Sequence, residues 1–561
     1  MAVCPNCGGM LRFDITGQCM KCDSCTSTFD PYAFQYGNSA EESTEYDVTV
    51  FKCPQCGGEI YSTDQTAAGF CSYCGSSSVL EGHLSKEKKP ELIIPFKKTK
   101  EDCKNLFKKF TKRAIFAPSD FRSDGNVESF RGIYMPYWLY DLSQGGHIDV
   151  PTYDSHRRGD YIIEDYYMCS GEMDSIYNGV SYDASSSFAD DISNEIAPFN
   201  VKDITEFSPS FLSGFYADVA DVPASVYEET AVELARESSY NYLKKKSPMS
   251  MERFQKSKEE VKSMIYTQVD AERSAMFPVW FLAYRHRDRV AYATVNGQSG
   301  KVSSDLPISI PKYLLCAGIV AAIAFAILQI LFTILPSTLL AIIAIVSLIG
   351  AVLYSSEMKK ICIKDNHDDD MGLQSRMDQK MQSRLDAQRG ATFGNEMEAY
   401  VLTEQDIRNN KRRKKAQKQN AKRGSNALTI IVVLFVFVPV FMHIFSGMIS
   451  AITGGISFLG LAAVIISLIV CLILTGTSTR NIKDTASKKG ISSLIWTDIG
   501  LAACLAILIF KPVSDIYYYG AAVVAMAGLL IMLIDLMLSH NLLATRPLPQ
   551  FDLYKGGDDR A

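Results

Sequence analysis

The feature that most constrains this chain is missing charge: no Lys, Arg, Asp or Glu occurs between Lys312 and Glu357, nor between Arg423 and Arg480. About twenty apolar residues are enough for a helix to cross a bilayer, because a helix satisfies its own backbone polar groups there. The first gap divides at Pro336 into expected spans at 313–335 and 337–354. The second holds 427–446 and 450–475, and a third pair follows at 493–510 and 516–538. The expectation is six transmembrane helices arranged as three hairpins, at 311–355, 427–476 and 493–539. With 47% apolar residues in 561, these spans leave about 310 residues for aqueous structure, too few for a large multidomain enzyme.

Charge in the loops predicts the orientation. The segment 355–426 carries sixteen Lys or Arg, including the run Lys411 to Lys415, and the loop 477–492 adds Arg480, Lys483, Lys488 and Lys489. The opposite loops hold at most Lys511. Basic loops stay on the cytosolic side, so both termini, the basic linker 356–426 and the tail 540–561 are expected there. The opening MAVCPNCGGM lacks the charged and apolar regions of a secretory signal. This predicts a multi-pass protein of the cell (inner) membrane.

Nine of the fifteen cysteines fall in the first 74 residues. Cys4, Cys7, Cys22 and Cys25 form one C-x2-C-x14-C-x2-C module, and Cys53, Cys56, Cys71 and Cys74 repeat it 49 positions later. Two C-x-x-C knuckles present four thiolates to a tetrahedral Zn2+, and Gly8-Gly9 and Gly57-Gly58 permit the tight turns. Two structural zinc sites follow, an iron–sulfur or dithiol site being the alternative. With all four positions filled, no ligand site is open for catalysis. Cys19 could compete with Cys22, but Ala68 stands at its place in the second module, so Cys19 is read as a bystander. The expected order is zinc ribbon 1 at 1–30, a polar linker at 31–50, zinc ribbon 2 at 51–82, and a cytosolic α+β domain at 83–310.

That domain opens with a basic stretch, eleven Lys or Arg against four acids over 86–113. Cys103, Leu106, Phe107 and Phe110 recur at helical spacing, predicting an amphipathic helix. Its cations suit a solvated face, anionic lipid at the inner leaflet, or nucleic acid. Two further helices are expected near 223–246 and 250–273. The Pro-x-Trp strands around Trp138 and Trp280 echo each other and are expected to pair or to be pseudo-symmetric, with Tyr137, Trp138, Trp280 and Phe281 read as core. The stretch 160–230 holds fifteen acids and one base, Lys202, which would repel a phosphate backbone. Asn296-Gly297-Gln298-Ser299-Gly300-Lys301 fails the phosphate-loop spacing and reads as a hairpin turn. Asp498 and Asp535 are carboxylates within the last pair of spans, which leaves an ion or proton path as a minor reading.

The paired ribbons, Ile94-Pro95-Phe96-Lys97, the block from Gly132 to Asp141, the phrase from Phe211 to Asp218, and Val295 to Lys301 before a membrane segment resemble bacterial membrane proteins with TFIIB-type zinc ribbons. That group contains membrane anchors of the phage-shock and envelope-stress response. The resemblance covers residues 1 to about 350 and implies no enzymatic activity. It implies recruitment of a cytosolic, peripheral protein, phage-shock protein A-like or flotillin-like. Members of the group also carry the label of a replication-restart primosomal helicase. This chain lacks the nucleotide-binding loop and the two motor domains that such an activity requires. The expected function is a non-enzymatic membrane scaffold, with a membrane-tethered nucleic-acid binder as the alternative.

Overall fold

The computed structural model describes residues 3–33, 45–53, 59–62, 81–118, 130–246, 256–286, 289–331, 335–376, 378–379, 456–483 and 492–545. The chain opens with a small antiparallel sheet of β1 (Leu11–Asp14), β2 (Cys19–Cys22) and β3 (Thr28–Phe29). Strands β4 (Glu45–Lys52), β5 (Glu59–Ser62) and β6 (Glu81–Lys88) follow, and then β7 (Leu92–Ile93).

Helix α1 (Lys100–Arg113) starts where Thr99 and Asp102 cap each other reciprocally, which satisfies two N-terminal donors. Cys103, Phe107 and Thr111 form its buried stripe, four residues apart as an α-helix requires. The stretch 92–99 ahead of it is not helical, because Ile93, Ile94 and Phe96 are drawn into the core.

The centre of the domain is a long hairpin, β8 (Arg131–Arg158) and β9 (Tyr161–Asp183), turned at Gly159 with φ +64°. Next come α2 (Asp190–Ile196), β10 (Thr205–Glu206), β11 (Tyr216–Asp218), α3 (Glu228–Lys246), α4 (Lys258–Ser263), β12 (Tyr266–His286), β13 (Arg289–Asn296) and β14 (Val302–Ser303). Helix α3 confirms the first expected helix, burying Ala231, Ala235 and Ser239 at four-residue spacing. The second, expected over 250–273, is corrected among the described residues. Only Lys258–Ser263 is helical, and the strand β12 begins at Tyr266. Val261 and Ile265 do share a helical face against Ile148 and Val150, and this spacing mimics a longer helix. Beyond it, pairing with β8 from Gly145 onward decides the conformation.

The two Pro-x-Trp strands are antiparallel neighbours, with Met276 opposite Pro136 and Trp280 opposite Gly132. Tyr137, Trp280 and Phe281 are buried. Trp138 donates its indole N–H to Val222 O at 2.8 Å, and Trp280 donates to Lys98 O at 2.8 Å. All four aromatics therefore belong to the core. The Asn296 turn is a hairpin as expected: Val295 pairs with Val302, and the Asn296 side chain accepts from Gln298 N and Ser299 N.

Part of the stretch expected as a linker lies in the sheet. Strand β4 begins inside the stretch expected as a linker, and β5 pairs with β11, setting Tyr61 against Ala217. One 11-stranded sheet therefore carries β4, β5 and β6 at its edge. Val48, Val50, Ile60 and Tyr61 are buried there, apolar surface that a free tether would leave in water.

Five apolar helices follow: α5 (Ile310–Leu331), α6 (Pro336–Asp365), α7 (Ile456–Lys483), α8 (Leu494–Phe510) and α9 (Ile516–Ala544). Four of them, α5, α6, α7 and α9, are long and apolar enough to cross a membrane; α8 has 17 residues. The expected span at 427–446 lies outside the described residues. Helices α6, α7 and α9 run past their expected ends into polar sequence, where the helical backbone continues although the apolar run has ended. Gly500 lies against Ala525 and Gly528 against the carbonyl of Trp496, so small residues let α8 and α9 approach closely.

Candidate metal centre

The Sγ atoms of Cys4, Cys7, Cys22 and Cys25 all lie within 4.8 Å of one another. Cys4 and Cys25 are 3.6 Å apart, and Cys7 and Cys22 are 3.4 Å apart. A tetrahedral Zn2+ with bonds of about 2.3 Å would set its sulfurs about 3.8 Å apart, so the set fits such an ion with small movements. In the first knuckle Gly8 N donates to Cys4 O and Gly9 N to Cys7 Sγ at 3.4 Å. Gly8 has φ +75°, and a Cβ on Gly9 would sit 2.7 Å from Ser24 Oγ and 3.2 Å from Cys22 Sγ. Both glycines are thus required, one by its backbone and one by crowding.

In the second knuckle Thr26 N donates to Cys22 O, and Thr26 takes a left-handed φ of 59°. Ser27 was not singled out from the sequence, yet its Oγ lies 3.2 Å from Cys25 Sγ. Through its hydroxyl and its N–H, Ser27 pulls the Cys25 thiol down to about 6, favouring the thiolate a metal needs. Cys19 sits on β2 opposite Asp14, outside the four-sulfur group. Of the second set, Cys53 is buried at the end of β4, whereas Cys56, Cys71 and Cys74 lie outside the described residues.

The first four-cysteine module is docked on the α+β domain. Phe13 N donates to Ser213 O at 3.1 Å, and the Ser213 hydroxyl donates to Leu11 O at 2.6 Å. Gln18 donates to Phe96 O at 2.8 Å, and Ser208 to Pro31 O at 3.1 Å. Phe13 packs edge-on against Phe211, with ring centroids 5.1 Å apart. Cys4, Leu11, Phe13, Met20 and Cys22 share one core with Phe96, Tyr134 and Trp280.

The α+β domain is in turn fastened to the apolar helices. Phe116, just past α1, stacks edge-on with Tyr313, Ser309 N donates to Phe116 O, and Lys312 donates to Ala117 O. Asn541 near the end of α9 exchanges two hydrogen bonds with Ile308. Lys364 at the end of α6 pairs with Asp191 at 3.1 Å. The start of α5 and the ends of α6 and α9 therefore share one side with this domain.

The two carboxylates within the apolar helices α8 and α9 are both tied to neighbouring helices. Asp535 accepts from Tyr354 at 2.7 Å and Ser493 at 2.8 Å, and Asp498 accepts from Thr475 at 2.7 Å.

No protein-family model matches the chain, and no solved structure matches it. Among curated proteins it is similar to the uncharacterized protein YdjG of Bacillus subtilis (strain 168), with 24% identity over 331 residues. That similarity covers 54% of this chain and 89% of YdjG.

Proposed function

We propose that the chain is a polytopic membrane scaffold, in which zinc-held ribbons and the α+β domain recruit cytosolic protein partners to the inner leaflet. The docking of the first ribbon carries this reading. A metal centre fused by hydrogen bonds and a common core to a domain that is itself pinned to apolar helices is a rigid platform. Its four sulfurs converge within 4.8 Å of one another, so a bound Zn2+ would have all its positions filled, which suits a structural site rather than a catalytic one. The basic linker and tail would lie on the same side, and a partner of the phage-shock protein A or flotillin kind fits the resemblance of the sequence.

Anionic lipid is a second ligand of the same face. Lys109, Lys112 and Arg113 are exposed at the end of α1, a few residues before the Phe116–Tyr313 contact with α5. A cation near an anionic leaflet contributes about 1 kcal/mol. Nucleic acid is the competing reading for these cations, and Asp498 and Asp535 keep an ion or proton path as the least supported one.

The test is mass spectrometry of proteins co-purifying with the tagged full chain in mild detergent, with and without the double substitution Cys7→Ser, Cys25→Ser. A stoichiometric peripheral protein lost with the metal supports the scaffold. Nucleic acid retained by the wild type, and released steeply by salt, would replace it with the tethered nucleic-acid binder.

A further inference from the structure

The β8–β9 hairpin outruns the sheet that carries it. Strand β12 pairs with β8 only as far as Gly145, so Gly146 to Arg158 and the facing stretch Tyr161 to Met173 form a two-stranded ribbon. At about 3.3 Å per residue this ribbon is roughly 40 Å long. Two strands alone are at best marginally stable in water. One face of the ribbon is covered, because Ile148 and Val150 pack on Val261 and Ile265.

The opposite face is bare, and strand alternation sends every even-numbered residue of this part of β9 to it. Ile162, Tyr166, Met168 and Ile176 are 63–72% exposed there. Tyr166 sits opposite Tyr153, with ring centroids 5.8 Å apart. Glu164, Glu172 and Asp174 are exposed on the same face. Its nearby cations are already engaged: Arg157 donates to Gly159 O, and His147 lies against Glu172 and Asp149.

The edge is open as well. Among the described residues β9 pairs with β8 alone. A strand edge is a row of backbone donors and acceptors, which proteins guard with Lys, Pro or a bulge. From Tyr161 to Ile176 there is no Lys and no Pro, and the register with β8 is unbroken.

We propose that β9 binds an extended cationic segment of a cytosolic partner protein, added as a further strand along this edge. Its basic side chains would meet Glu164, Glu172 and Asp174, and its apolar ones would extend the Tyr166–Met168 patch; in strand addition the main chain supplies affinity and the side chains specificity. Charge selects this occupant. Tyr161 to Ile176 carries four acids and no Lys, Arg or His, so a second copy of β9 would bring like charges together. An anionic leaflet or a phosphate backbone would be repelled too. The proposal names the surface and the partner chemistry for the scaffold reading above, on which it rests.

The experiment uses the full chain in uncharged detergent micelles. Its probe is a fluorescein-labelled peptide of Lys-Thr-Tyr-Thr repeats, with Glu-Thr-Tyr-Thr repeats as the control, and fluorescence anisotropy reads binding. The Lys peptide should bind and the Glu peptide should not. Glu164→Lys with Asp174→Lys should weaken binding about tenfold or more, since juxtaposed like charges are costly. Glu91→Lys with Glu206→Lys, an equal charge change at exposed positions elsewhere on the sheet, should leave it unchanged. Residue-resolved hydrogen exchange should show alternate amides of Tyr161–Ile176 gaining protection with the peptide, because alternate amides of a strand point to each edge. Equal weakening by the two double variants, or no gain of protection in β9, would overturn the proposal. Protection of those amides in a dimer without peptide would assign the edge to a second copy and overturn it equally. Co-purification separates this claim from the scaffold reading. A stoichiometric partner kept by the Glu164→Lys, Asp174→Lys chain overturns this surface and leaves the scaffold standing. Peptide binding as stated, with no protein co-purifying with the wild type, supports the edge and removes the scaffold.

Discussion

Ser213 and Leu11 are 202 positions apart in sequence, and the Ser213 hydroxyl donates to the Leu11 carbonyl at 2.6 Å. The contact lies beside the Phe13 N to Ser213 O bond, so a loop of the α+β domain continues the hydrogen bonding of β1. A four-cysteine module too small to hold a core of its own gains one by this docking, and a metal held by those cysteines would stabilise the domain as well as the module.

Metal content tests the ligand assignment for both modules. The wild type should carry about two zinc ions per chain, and changing Cys53 and Cys56 to Ser should leave about one. Elemental analysis of the purified chain decides this, and two ions surviving the change would refute the second ligand set.

Packing around Phe96 gives a prediction of stability. A Cβ on Gly132 would lie 2.6 Å from Phe215 Cδ1 and 3.2 Å from Phe96 Cζ, whereas one on Gly171 would meet nothing within 4 Å. Overpacking a filled core costs typically 1–3 kcal/mol, so Gly132→Ala should destabilise by about 2 kcal/mol. Gly171→Ala should stay within about 0.5 kcal/mol of the wild type. Thermal or denaturant unfolding of the two variants measures the contrast, and equal stabilities would show that the aromatic cluster yields.

How much of this was legible in the sequence depended on the range of the interaction. The C-x-x-C repeat placed Cys4, Cys7, Cys22 and Cys25 together, because knuckle geometry is local. The charge-free gaps marked α5, α6 and most of α7, and the helical spacing of Cys103, Phe107 and Phe110 marked α1. The docking of the ribbon did not show, since Ser213, Phe211 and Phe96 become neighbours of Leu11 and Phe13 only through the fold. The same holds for β12, where Val261 and Ile265 imitate a helix that long-range pairing with β8 cuts short.

On the β8–β9 hairpin, His147 Nδ1 lies 2.8 Å from Glu172 Oε1, and His147 Nε2 lies 3.2 Å from Asp149 Oδ2. The bond to Glu172, followed by the charge of Asp149, raises the imidazole above its usual 6.5. For a group raised on folding, the stabilising pairing is fully present below the unfolded value and fades as pH rises through the folded one. An NMR titration should therefore place the His147 midpoint above 6.5, and Glu172→Gln should bring it down. A midpoint at 6.5 in the wild type would deny the pairing.

Within the apolar helices, Asp535 joins α9 to Tyr354 of α6 and Ser493 ahead of α8. Interhelical hydrogen bonds in membranes average about 0.6 kcal/mol and reach about 1.7. Tyr354→Phe should lower resistance to unfolding in detergent by an amount in that range. Reconstituted vesicles give the other check: with Asp498→Asn and Asp535→Asn together, unchanged ion and proton flux would leave these carboxylates a structural role, and altered flux would revive the transport reading.

A first four-cysteine module that is a metal-held part of the domain couples metal binding to the stability of both. Hydrogen exchange of the full chain, with the metal bound and after its removal by a chelator, tests this directly. The expected result is that protection falls together at Phe13 in the ribbon and at Phe215 beside the Ser213 loop. Loss confined to residues 3–30, with the Phe215 amide still protected, would contradict the fused platform and make the module an independent unit.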